Sequence, residues 1–195
     1  GKVITVNKLR KNETLFIGEQ SPVVSIRAFG TQSRVNESSS DLSLKYLLLE
    51  DARILVAEEI GEPPETFTFL DYINWFSKTI GQNLARMHNN DWYHHNLYLT
   101  RNPCNVTLDC RIIDLNTVMH SLPSNVLSPY EKKNDQIATE YIVKQLCLDV
   151  QQVIDFKGLT TSKLGESLIN MNNLNFIEIF KTSYENESKN KTKND

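Results

Sequence analysis

The chain predicts an α+β fold in two lobes, a small amino-terminal lobe of antiparallel strands and a mainly helical carboxy-terminal lobe. Three observations carry this. Residues 2–29 divide into three alternating, β-branched runs, residues 69–87 repeat apolar positions every three or four, and GEPPE at 61–65 separates the two patterns. At 195 residues the chain fits one domain or two small lobes sharing a cleft.

KVITVNKL, ETLFIGE and PVVSIRAF read as strands divided by Lys11-Asn12 and Gln20-Ser21-Pro22, spacers short enough for an antiparallel meander. Gly30 ends the third. After the polar TQSRVNESSSD, Ser40 or Asp41 is placed to cap a helix over 42–50, where Leu42, Leu44, Leu47, Leu48 and Leu49 are dense enough for burial. ARILVAEEI then predicts a fourth strand closing on Glu58 and Glu59, so that 1–60 form the N-lobe. Two prolines and a glycine at 61–65 continue neither helix nor sheet and predict a hinge. In the C-lobe, 66–180, Phe69, Leu70, Ile73, Phe76, Ile80, Leu84 and Met87 mark a helix of about five turns with one buried face. A His-rich polar loop follows, then a hairpin pairing 105–108 with 111–114. SLPSNVLSPYE is irregular, 135–154 is helical by period, and a last helix is expected over roughly 164–180. The tail 181–195, rich in Asn, Lys and Glu without apolar anchors, reads as disordered.

Hydrophobic residues at 39% and charged residues at 23% are the proportions of an ordinary globular protein. A net charge of −3 supplies no electrostatic reason to expect nucleic acid or an anionic membrane as partner. Three cysteines, Cys104, Cys110 and Cys147, are an odd number in no metal-ligand spacing and predict free thiols in a reducing, cytoplasmic setting. No apolar run approaches the roughly 18 residues of a membrane span, and no signal-peptide pattern opens the chain. His88, His94 and His95 lack the Cys, Asp or Glu that would complete a tetrahedral zinc set. The Asn-x-Ser/Thr triplets at Asn12, Asn36, Asn105, Asn186 and Asn190 are chance matches in an Asn-rich chain.

Four segments occur in a telling order: RILVAEEIGEPP, IGQNLARMHNNDWYHHNL, RIIDLN at 111–116 and SPYE at 128–131. Together they resemble the fifth strand and hinge, the long helix leading into the catalytic loop, the DFG segment and the APE motif of the protein-kinase-like fold. The resemblance covers 50–131; over 1–49 it rests on strand order alone. It implies a cleft for ATP and Mg2+. Asp114 stands at the DFG aspartate, and Asn105, nine residues earlier and opening the preceding strand, is its companion metal ligand. One carboxylate and one amide oxygen, with water and phosphate, complete a shell that Mg2+ accepts. His94 and His95 fall in the catalytic loop, where one imidazole would hydrogen-bond backbone near Asp114. Asn96 replaces the family's catalytic aspartate, and an amide cannot accept the substrate hydroxyl proton. The glycine-rich loop is missing, Gly18 standing alone. Arg27 falls near the strand-three lysine and would take phosphate as a fork. The resemblance sets Glu58 and Glu59 at the hinge beside the cofactor cleft; as a paired-carboxylate glycosidase site they fail, because adjacent strand residues point to opposite faces and only one can face a given cleft, and taken alone they read as hinge residues in solvent.

Two subfamilies are similar in part: aminoglycoside-phosphotransferase-like proteins in the loop and the Ile-Asp ending, and AMP-transferring pseudokinases of the selenoprotein-O type in the lost aspartate and the Asn-to-Asp spacing. The resemblance thus implies a pseudokinase acting mainly through a protein partner, with nucleotide and Mg2+ as cleft ligands. Its alternative is an active ATP-dependent phosphotransferase or AMP-transferase relying on metal positioning and electrostatics.

Overall fold

The computed structural model describes residues 39–94, 108–110, 118–120, 128–165 and 173–190. The three strands expected over 2–29 lie outside these. Four helices carry the described residues: α1 (Ser39–Ile60), α2 (Phe69–Asn89), α3 (Pro129–Lys157) and α4 (Asn173–Ser188). A short antiparallel ladder accompanies them, β1 (Trp92–His94) against β2 (Val118–His120), with Tyr93 opposite Met119.

The expected α+β, protein-kinase-like architecture with a strand-rich N-lobe is therefore corrected: the described part of the chain is helical. ARILVAEEI, expected as a fourth strand, is the second half of α1. The reason is visible in its burial. Leu49, Ala52, Arg53, Val56 and Ala57 form one buried face at intervals of three and four, and Ala, Leu, Arg and Glu outnumber the β-branched residues. An apolar run with β-branched residues is compatible with either period when read alone; continuity with the leucines before it decides for helix.

The GEPPE stretch joins α1 to α2. Gly61 turns the chain at φ 81°, and the N–H of Glu62 bonds the Ala57 carbonyl at 2.8 Å. Arg53, buried at the α1 surface, donates to the carbonyls of Pro64 and Phe67 and is held from behind by Glu50 at 2.6 Å. Its guanidinium lies 5.7 Å from the ring centroid of Phe69. The connector is thus tied to both helices it joins.

α2 begins where its apolar period begins. Thr68 caps it reciprocally: its hydroxyl accepts the Asp71 N–H at 3.1 Å, and the Asp71 carboxylate accepts the Thr68 N–H at 2.9 Å. Such a cap contributes about 1 kcal/mol. Phe69, Tyr72, Ile73, Phe76, Ile80 and Leu84 fill the centre of the core. α4 lies along α2 so closely that a Cβ on Gly81 would stand 2.6 Å from the Phe180 carbonyl oxygen. Ser183 of α4 donates to the Lys78 carbonyl of α2 at 2.6 Å.

α4 corrects a second expectation. Residues 181–188, placed in a disordered tail, are helical, with Ser183 and Tyr184 buried. Tyr184 lies one turn beyond Phe180 and is the apolar anchor that the tail's polar composition hides. α3 starts at Pro129, six residues before its apolar period, because Ser128 caps it and proline suits the first helical position. It ends at Gly158 with φ 65°. Its face of Ala138, Ile142, Val143, Leu146, Val150 and Ile154 packs on α2 and α1, and Lys45 reaches across to Asp149 at 3.1 Å. Among the described residues no helix is long and apolar enough to cross a membrane.

Candidate functional site

The last turn of α2 ends at Asn90, and Asp91, at φ 62°, redirects the chain into β1. This delivers His94 to the inside of the molecule, where it is 0% exposed. The His94 backbone N–H donates to Asp135 Oδ2 at 2.8 Å. The same oxygen lies 2.8 Å from His88 Nε2, and His88 Nδ1 lies 2.6 Å from the Tyr184 hydroxyl. Three helices each supply one member: His88 from α2, Asp135 from α3 and Tyr184 from α4.

The imidazole tautomer sets which way the two side-chain hydrogen bonds of His88 run. Burial pushes the Tyr184 phenol up to about 12, so it keeps its proton. Asp135 and His88 are 2% and 1% exposed, so the Asp135 carboxyl finds its hydrogen bonds on protein groups, His88 and the His94 backbone N–H among them.

A second set of contacts lies farther along α2. The Tyr72 hydroxyl donates to the Leu108 carbonyl at 2.8 Å, and Asn83 Nδ2 donates to the Cys110 carbonyl at 2.7 Å. Cys110 is buried in a left-handed conformation, φ 66°. Burial raises both the Tyr72 phenol and the Cys110 thiol well above their ordinary values. A thiol held protonated in this way is inert as a nucleophile.

His94 is thus held by Asp135 of α3, and Leu108 and Cys110 by Tyr72 and Asn83 of α2. His95, Asn96 and Asn105, predicted for the site, lie outside the described residues, as do Asp114 and Arg27. Glu58 and Glu59 are described: they are exposed residues in the last turn of α1, not strand residues beside a cleft. Among the described residues no group of three His, Cys, Asp or Glu side chains has a metal-holding arrangement.

Of the predicted site residues, then, the structure brings His94 into a defined network and leaves Glu58 and Glu59 in solvent. Sequence reasoning passed over Tyr72, Asn83, His88, Asp135 and Tyr184. The signal was present for two of them. His88 and Asp135 occupy positions that the helical period assigns to the core, and a polar residue there needs a partner. No family model, curated protein or solved structure matches the chain.

Proposed function

We propose that this protein is a binding module that acts through a protein partner and not by phosphoryl transfer. The observation that supports this is the pair of anchors, Asp135 on His94 at one end and Tyr72 and Asn83 on the Leu108 and Cys110 carbonyls at the other. A buried carboxylate–imidazole pair is a poor source of net stability, so its place against the backbone of His94 favours a role in positioning. Asn96 in place of the catalytic aspartate argues for loss of proton abstraction.

The second reading, a phosphotransferase or AMP-transferase with Mg2+ on Asn105 and Asp114, draws on the same anchoring, since metal catalysis also needs a positioned loop. One experiment separates the two. Purified protein and Asp114→Ala are incubated with ATP labelled at the α or the γ phosphate, with and without Mg2+, alongside a thermal-shift titration. The binding-module reading expects no label transferred to protein or water, whether or not ATP raises the midpoint by mass action. Mg2+-dependent transfer that Asp114→Ala abolishes would overturn it in favour of the transferase.

A further inference from the structure

α1 has apolar residues on two sides. Leu49, Ala52, Val56 and Ala57 face the core, whereas Leu44, Leu47, Leu48 and Leu55 are 44%, 55%, 51% and 64% exposed. At 3.6 residues per turn these four leucines fall within an arc of about 120°. Asp51, Glu58 and Glu59, all exposed, share that arc, while Lys45 and Arg53 lie outside it, on Asp149 and Glu50. A helix apolar on both sides is ordinarily covered on both, and a leucine stripe in water marks a docking surface.

We propose that the occupant is the chain's own amino-terminal segment, residues 2–29, which lies outside the described residues. Reach allows it. The nine residues 30–38 join this segment to the start of α1, and fully extended they span about 30 Å, close to the roughly 33 Å length of a 22-residue helix. Composition requires a partner surface: KVITVNKL, ETLFIGE and PVVSIRAF each hold neighbouring apolar residues, Val3-Ile4, Leu15-Phe16-Ile17 and Val23-Val24 among them, and such runs need an apolar surface to cover them. Charge selects this one. Residues 1–38 carry six basic side chains, Lys2, Lys8, Arg10, Lys11, Arg27 and Arg34, against three acidic ones, Glu13, Glu19 and Glu37. The leucine stripe carries acids and no base, so the two surfaces are complementary in both apolar character and sign.

The test is limited trypsin digestion of the full chain, followed by mass spectrometry, with a synthetic peptide of residues 1–38 as the unprotected reference. Docking is expected to slow cleavage at Arg10, Lys11 and Arg27 at least tenfold relative to the peptide. Leu48→Glu/Leu55→Glu is expected to restore the peptide's rate while the helical circular dichroism is kept. Should that variant misfold, Val24→Ser/Ile26→Ser disrupts the pairing from the segment's side, leaves the helices untouched, and is expected to do the same. Arg27 cleaved as fast in the wild type as in the peptide overturns the proposal. Protection that disappears on dilution together with a dimer seen by sedimentation also overturns it, because a second copy of the chain would then be the cover.

Discussion

At the scale of single residues, Asp135 carries the most weight. Its side chain accepts from the His94 backbone N–H and shares a hydrogen bond with His88, both of them buried. Asp135→Ala removes one partner of a buried pair and is expected to cost about 3–5 kcal/mol, read as a lower urea midpoint at unchanged slope. Tyr184 ties the same network to pH. Burial raises its phenol from 10 to about 12, so the folded state holds the proton more tightly than the unfolded chain does. The stability this contributes is complete below pH 10 and is lost as pH rises through about 12. Cys147, raised to about 12, and Tyr72 act in the same sense. Tyr184→Phe is therefore expected to shallow the alkaline decline in denaturation midpoint without abolishing it. His94, expected in a catalytic loop, stands in β1 with its backbone N–H on Asp135, and Asp114, beside which an imidazole was expected, lies outside the described residues. Contacts between residues 41 apart in sequence leave no local pattern to read.

Among the elements, α2 and α4 make the closest pair. Gly81 is the point of nearest approach, and Gly81→Ala is expected to push the helices apart at the Phe180 carbonyl, costing about 1–3 kcal/mol in a thermal or urea melt. A Gly-to-Ala change at an open helical site would instead stabilise, so the sign of the shift tests the contact. α2 itself was legible to its first residue because its apolar period begins at Phe69 and is unbroken; the Thr68–Asp71 cap, seen in the structure, starts the helix at the same place. α1 was legible only in its first half. Its second half was lost to a run of Ile, Leu and Val that suits a strand equally well, and the deciding fact, burial of Arg53 on the same face as Val56, is tertiary. α4 was displaced because one aromatic, Tyr184, amid polar residues carries little weight in a count and much in a core.

Over the whole molecule, α2 is the common reference: α4, α3 and β1 pack on it, and it holds Leu108 and Cys110 through Tyr72 and Asn83, while α3 holds His94 through Asp135. The two-lobed outline read from the sequence depended on residues 2–29 and on a fourth strand that is helix, so the overall architecture was the least legible level. The anchored stretch carries a consequence for how such a protein can change. Joining two fixed points with a longer chain costs little, about 0.6 kcal/mol for each doubling of length. Insertions and deletions between His94 and Leu108 are therefore expected to leave the melting behaviour of the helices nearly constant, so that chain length can vary there on an unchanged helical frame.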